Sequence, residues 1–142
     1  MSDGFTLLEM IIVLFLVSVM LGIAGVFFSK TLSSSKLDAA AREISAAIRQ
    51  AKSMAATKGE KETVTINIDS KQYGIPGRGS KSLPRDAQVM VIDPFSGEIR
   101  SGEYNITFQP YGGVEGGTVV LWNGKKTVSI QLDPVVGSTV IK

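Results

Sequence analysis

Glu9 is the residue whose type and position most suggest chemistry. No other charged residue follows it until Lys30. An ionisable side chain in such an apolar segment costs about 2.5–3.5 kcal/mol at a bilayer centre and less near its edge, so it usually has a function. Catalysis would require a partner acid or base, and the neighbouring apolar residues offer none. The chain also has no Cys and no His, which excludes disulfides, Cys nucleophiles, His bases, thiolate zinc sites and Ser-His-Asp arrangements.

The segment around Glu9 is long enough to cross a membrane. Residues 5–28 include 19 that are Ala, Val, Ile, Leu, Met or Phe. As a helix they reach about 36 Å, against a hydrocarbon core of about 30 Å. A buried core helix would need apolar partners on every side, which residues 59–142 are too few to supply. A cleaved secretory signal stays open because of the small residues Gly22, Ala24 and Gly25, although no Lys or Arg precedes the segment. For Glu9 itself, the alternative interpretation is that it merely lies in the headgroup region of the bilayer.

Charge divides the chain into three physically different parts. Residues 1–28 carry two acidic side chains and no basic one, residues 29–58 have a net charge of +4, and residues 59–142 carry nine charges of each sign. The overall net charge of +2 argues against a strongly basic nucleic-acid binder. All five Pro residues lie after residue 75, so no Pro interrupts a helix before that point.

An apolar stripe at helical spacing marks the middle part. Its members recur at alternating spacings of four and three: Leu37, Ala41, Ile44, Ile48, Ala51 and Ala55. This pattern predicts an amphipathic helix over residues 29–58 that continues the apolar one and stops at Gly59. Its small residues allow a sheet to approach closely, so we expect these six side chains to pack on a sheet. A dimeric coiled coil is the alternative, although the repeat is short and rich in Ala.

After Gly59 the pattern changes to the alternation that is typical of strands. The expected strands are residues 63–68, 72–75, 87–92, 105–109, 118–122, 127–130 and 138–141. Asn123-Gly124 between two of them predicts a type I′ hairpin. Together they predict one antiparallel sheet, whose apolar face the stripe covers.

Two features of this part could bind phosphate groups. Residues 74–82 are rich in Gly, but Ser80 stands where a phosphate-binding loop needs Lys, so a surface loop is favoured. The basic residues of this region are usually solvated in such a loop, although they could contact DNA phosphates: Lys71, Arg78, Lys81 and Arg85.

Three acidic residues, Asp93, Glu98 and Glu103, could supply oxygen ligands to calcium. The stretch that begins at Asp93-Pro94 is more typical of turns. The sequence therefore predicts no cofactor and no metal site.

The N-terminus resembles a known processing motif. Residues 4–10 read Gly-Phe-Thr-Leu-Leu-Glu-Met, similar to the prepilin peptidase recognition motif of type IV pilins and type II secretion pseudopilins. The resemblance implies cleavage between Gly4 and Phe5, methylation of the new amino group of Phe5, and retention of Glu9. The Glu9 carboxylate could then pair with the Phe5 amine of a neighbouring subunit during assembly.

The C-terminal part resembles a narrower group. Residues 106–112, 116–121 and 127–141 are similar to the C-terminal region of H-type minor pseudopilins and FimT-like minor pilins. The resemblance implies an α+β, pilin-like fold, with a long N-terminal helix packed on an antiparallel sheet. It divides the chain into a leader (1–4), a transmembrane or filament-core helix (5–28), an amphipathic helix (29–58) and a periplasmic sheet domain (59–142).

The implied function is that of a non-enzymatic minor pseudopilin in the type II secretion pseudopilus. Its implied partners are the other major and minor pseudopilins, prepilin peptidase and the inner-membrane secretion platform. The chain would cross the inner membrane once, with its C-terminal domain in the periplasm. The alternative is a FimT-like minor type IV pilin in pilus priming or DNA uptake, although after Asp133 the only basic residue is Lys142. A different class is a single-pass membrane protein whose extracytoplasmic domain binds a ligand.

Overall fold

The computed structural model describes residues 4–142, except for the side chains of residues 26–31. Helix α1 spans Leu7–Lys58, which agrees with the uninterrupted helix expected from the sequence. The chain divides into two compact units, the first ending at Ser33 and the second comprising Ser34–Lys142. The second half of the helix and all the strands therefore belong to one unit.

Ten strands follow the helix. They are β1 (Glu62–Asn67), β2 (Gln72–Gly74), β3 (Ser80–Ser82), β4 (Gln88–Asp93), β5 (Gly97–Ile99), β6 (Glu103–Phe108), β7 (Val114–Glu115), β8 (Thr118–Trp122), β9 (Thr127–Leu132) and β10 (Thr139–Ile141). The seven strands expected from alternation are all present. Strands β3, β5 and β7 were not expected, because they have at most three residues and no buried position.

The strands form two antiparallel sheets instead of the single sheet that was expected. Sheet A has the order β3-β2-β1-β6-β7, and sheet B has the order β10-β9-β8-β4-β5. Strand β1 pairs with β6, and β4 pairs with β8, so the central pairs join strands that are distant in sequence. Alternation in a strand shows which of its faces is buried but does not name its neighbour, which is why the prediction of one sheet was wrong.

One hydrophobic core joins the helix to both sheets. Sheet A contributes side chains such as Val64, Ile106 and Phe108, and sheet B contributes Val119 and Leu121. The same cluster includes all six side chains of the helix stripe, each at most 1% exposed. Helix and sheets thus share the apolar surface that neither could bury alone.

The turn between β8 and β9 differs from the expected type I′ turn. Trp122 pairs with Thr127, and the Asn123 N–H donates to the Lys126 carbonyl at 3.1 Å. Gly124 has a φ of 73°, whereas Lys125 is not among the residues with positive φ. A type I′ turn needs positive φ at both central residues, and here the central residues are Gly124 and Lys125. The hairpin was predicted correctly and its turn type was not.

Candidate functional site

The residues before helix α1 form an exposed, non-helical segment. Gly4, Phe5 and Thr6 precede the first helical residue, Leu7, and all three are exposed. The Thr6 Oγ1 accepts the Glu9 N–H at 3.3 Å, and the Thr6 carbonyl accepts the Met10 N–H at 3.2 Å. Thr6 is therefore the N-cap of the helix. The Gly4–Phe5 peptide bond therefore lies outside the helix.

Glu9 lies in the first turn of helix α1. A carboxylate there interacts favourably with the helix dipole, by about 0.3–1 kcal/mol at an exposed site. The pair Thr6 and Glu9 also has the spacing of a capping box, a local sequence signal for the start of a helix. Within the described part of the chain the Glu9 carboxylate has no cationic partner. It is thus available to a group outside the chain.

The helix that follows Glu9 has an exposed and almost entirely apolar surface, in which Ser18 is the one polar side chain before Gly25. The span Leu7–Gly25 has a mean hydropathy of 2.7, and none of it is buried. Its 19 residues reach about 28 Å as a helix, close to the thickness of a hydrocarbon core of about 30 Å. A signal sequence would pass the same test of length and composition. An apolar surface of this extent requires lipid or other protein chains around it.

The second half of the helix is held to the sheets by polar contacts as well as by the core. Ser45, which is 1% exposed, shares a hydrogen bond with the Thr139 hydroxyl and accepts one from Arg49 at 2.9 Å. The Lys52 ammonium donates to the Val136 carbonyl. These contacts fix the C-terminal strand and its preceding loop on the helix.

On the other side of the helix, Glu43 joins sheet A. The buried Tyr73 hydroxyl donates to Glu43 Oε2 at 2.8 Å, and the Lys81 ammonium donates to the same oxygen at 3.1 Å. These two hydrogen bonds, that of Tyr73 first, lower the pKa of Glu43. Burial, followed by the bond to Glu43, raises the pKa of Tyr73. The arrangement fixes the β2–β3 hairpin on the helix, and sequence patterns could not reveal it because these residues are distant in sequence.

The stability of this unit should depend on the ionisation of Glu43. Because its pKa in the folded chain is lowered from 4.5, the stabilisation is present above that value and is lost as pH falls through the folded pKa. Replacing Tyr73 with Phe should lower the free energy of unfolding by about 0.5–1.5 kcal/mol at neutral pH. Glu43→Gln should melt at a lower temperature than the wild type at neutral pH, and the two should converge in acid. A difference in melting temperature that does not change with pH would contradict this role.

The other candidate sites from the sequence have structural roles in the described chain. Asp93 Oδ1 accepts the N–H groups of Phe95 and Ser96 at 2.9 and 2.8 Å, which makes the turn between β4 and β5. Glu98 pairs with Arg100 at 2.7 Å. Among the described residues no group of three acidic side chains could hold a metal ion.

The Gly-rich stretch also differs from a phosphate-binding loop in its local structure. The end of the stretch is strand β3 (Ser80–Ser82), where a phosphate-binding loop would lead into a helix. Of the basic residues in this region, Lys81 is paired with Glu43. The expected surface loop is therefore present only at residues 75–79, because Gly74 ends β2 and Ser80–Ser82 form β3.

Comparison with protein families decides the class. A model of the prokaryotic N-terminal methylation motif matches residues 1–25, and a model of the type II transport protein GspH matches residues 40–135. The chain belongs to the GspH family. No curated protein and no solved structure matches it significantly.

For a GspH-family protein, helix and sheets form the expected α+β, pilin-like arrangement, and that prediction is confirmed. Proteins of the GspH family are structural pseudopilins and not enzymes. The methylation motif and the apolar helix indicate a membrane-anchored chain of the type II secretion or type IV pilin-like class. The three residues before Gly4, which belong to the expected leader, lie outside the described residues.

Proposed function

We propose that this protein is a minor pseudopilin, a non-enzymatic subunit of the type II secretion pseudopilus that helps to export folded proteins across the outer membrane. The observation that carries the proposal is the match to the GspH family over residues 40–135, preceded in the same chain by the methylation motif at residues 1–25. Its partners would be other major and minor pseudopilins, prepilin peptidase and the inner-membrane secretion platform.

The segments of the chain have distinct roles in this proposal. Residues 1–4 are the leader, and residues 5–28 anchor the subunit in the inner membrane before assembly and pack in the filament core afterwards. The compact unit formed by the amphipathic helix and the two sheets lies in the periplasm. A machine at the membrane lifts subunits out of the bilayer, so that the exposed apolar surface of Leu7–Gly25 exchanges lipid for neighbouring helices.

Glu9 acts in this mechanism as a register device. Cleavage after Gly4 places a cationic amine on Phe5, at the N-terminus of a helix. In the filament core the Glu9 carboxylate of an adjacent subunit would pair with that amine. An unpaired charge in such a dry setting costs several kcal/mol, so the correct stagger between subunits is favoured over others.

The first test is the N-terminus of the protein in cells that carry the secretion system. Intact mass should show a chain that begins at Phe5 and carries one added methyl group. The exposed, non-helical position of the Gly4–Phe5 bond makes it accessible to the peptidase. A chain that begins near Val26 would instead indicate an ordinary secretory signal and would overturn the proposal, as would a chain that keeps residues 1–4. A strain without the peptidase is the control and should retain the leader.

The alternative is a FimT-like minor pilin that acts in DNA uptake, and it predicts different neighbouring genes on the chromosome. A pseudopilin gene should lie beside genes for a secretion ATPase and a secretin, and a minor pilin gene beside pilus genes. The C-terminal tail favours the pseudopilin, because Lys142 is the only basic residue after Asp133, and DNA phosphates are bound chiefly by basic side chains.

A further inference from the structure

The start of the amphipathic helix meets the β8–β9 turn at one end of the compact unit. The Lys126 ammonium contacts Asp38 Oδ2 at 2.7 Å. Lys126 belongs to the turn, and Asp38 follows closely after Ser34, the first residue of the unit. This ion pair holds the turn against the part of the helix that is nearest in the chain to the membrane-spanning segment.

Two further loops reach the same end of the unit. The β3–β4 loop lies beside the helix there, because Pro84 and Lys36 line one groove. The β1–β2 turn adjoins that loop. The Leu83 N–H donates to the Lys71 carbonyl at 2.8 Å, and the Lys71 ammonium donates to the Arg85 carbonyl at 3.5 Å. The helix start and these three loops form one surface, which we call the basic end.

The basic end carries more positive than negative charge. Two of its acidic side chains are already bonded within the chain, Asp38 in its ion pair and Asp69 to the Gly102 N–H at 2.9 Å. Neither Lys36 nor Lys125 has an ion-pair partner among the described residues. The surface therefore offers cations to an anion outside the chain. Its basic side chains are Lys36, Lys71, Arg85, Lys125 and Lys126, and its acidic ones are Asp38, Asp69 and Asp86.

The length of the helix keeps this end close to the membrane. In the sequence the apolar segment ends at Phe28, and Lys36 follows eight positions later. Along helix α1 eight residues span about 12 Å, of which the headgroup layer takes about 5–8 Å. The potential of an anionic surface decays over about 10 Å, so Lys36 lies within its range. Gln50, beside which the β2–β3 loop lies, is about 21 Å further along the helix and lies beyond that range.

We propose that the basic end binds the anionic phospholipid headgroups of the membrane that anchors the chain. The Lys36 and Lys125 ammonium groups and the Arg85 guanidinium contact headgroup phosphates. The pair of Lys126 with Asp38 keeps the turn and the helix together as one surface. The contact holds the unit against the bilayer before assembly and is broken when the subunit is lifted out. This inference rests on the membrane anchoring that is part of the proposed function, and not on the secretion system in which the chain acts.

The full-length chain, reconstituted in lipid vesicles, tests the contact directly, because the absence of Cys allows a single label to be placed. Thr127→Cys, exposed beside the β8–β9 turn, carries a fluorophore, and the vesicles contain a lipid with a quencher on its headgroup. Quenching should be strong in vesicles that contain phosphatidylglycerol, weak in pure phosphatidylcholine, and lost at high salt. Val135→Cys is the control label. It is 80% exposed in the loop that bonds to Lys52, and it should be quenched weakly in both kinds of vesicle.

Charge reversal shows whether the basic end is responsible. Lys36→Glu combined with Lys125→Glu should lower the ratio of docked to free units roughly tenfold or more in the anionic vesicles. Gln at the same two positions should lower it by less, and this milder pair keeps the test valid if a Glu variant unfolds, which circular dichroism detects. The matched control is Lys61→Glu combined with Arg78→Glu. It changes the net charge by the same amount at exposed positions outside the basic end and should change the ratio little.

Three results would overturn this contact. They are equal quenching in neutral and anionic vesicles, an equal loss in the control pair, and release of the unit by short duplex DNA at a phosphate concentration below that of the lipid, which would assign the basic end to nucleic acid. Flotation of the chain with neutral vesicles separates the two levels. A chain that floats but does not dock overturns this inference alone, whereas a chain that does not float overturns the anchoring in the proposed function as well.

Discussion

Replacing Glu9 with Ala is expected to leave the protein abundant, cleaved and folded, while its incorporation into the pseudopilus falls a hundredfold or more. Glu9 has no cationic partner within the described chain, so its removal costs the isolated subunit little. Insertion into the membrane should be unchanged or slightly better, because an ionisable group is removed from an apolar segment. In the filament core the same change would leave the Phe5 amine of a neighbour unpaired, at a cost of about 3–5 kcal/mol.

Two further variants separate charge pairing from helix capping. Glu9→Gln keeps the size of the side chain but removes its charge, so it should fail to assemble as Glu9→Ala does. Thr6→Ala removes the acceptor of the Glu9 N–H and keeps the carboxylate. It should cost about 1 kcal/mol of helix stability and leave assembly largely intact. The measurements are the cleaved fraction in whole cells and the amount of subunit in sheared filaments. Normal incorporation and full secretion in a Glu9→Ala strain would eliminate the pairing role.

A chain reduced to residues 59–142 is expected to lose its cooperative fold, whereas residues 34–142 should keep it. The second fragment corresponds to the compact unit that ends at Lys142. Leu37, Ile44 and Ile48 are each 0% exposed, and burial of three such side chains contributes about 5–9 kcal/mol. That is comparable with the whole net stability of a typical domain, about 5–15 kcal/mol. Without the helix the two sheets would expose the apolar surface that they now share with it.

The comparison is made by thermal melting of both fragments, followed by circular dichroism and a dye that binds exposed apolar surface. A matched pair of point variants keeps the helix in place. Ile48→Asp puts a charge at a fully buried position and should unfold the unit, whereas Ala46→Asp lies on the exposed side of the same helix and should change the melting temperature by only a few degrees. If residues 59–142 melted as sharply as residues 34–142, the helix would not be required for the fold of the sheets.

Local features of this protein could be determined from the sequence by itself. The helix was predicted from its apolar stripe and from the absence of Pro before residue 76, and it was found at Leu7–Lys58. Both signals lie in contiguous residues, because helical hydrogen bonds join groups four positions apart. The longer strands and the motif at residues 4–10 were also recognised from contiguous residues. The motif in turn indicated the family.

Only the tertiary structure decided how the strands are partitioned and which distant side chains meet. A period of two in β1 or β4 shows which face is buried, but it does not show that they belong to different sheets. Strands β3 and β7 have no apolar alternation, so their positions at opposite edges of sheet A follow from pairing alone. The bond from Tyr73 to Glu43 and the bond between Ser45 and Thr139 join residues far apart in the chain. Such contacts depend on the packing of whole elements, and a local sequence pattern contains no record of them.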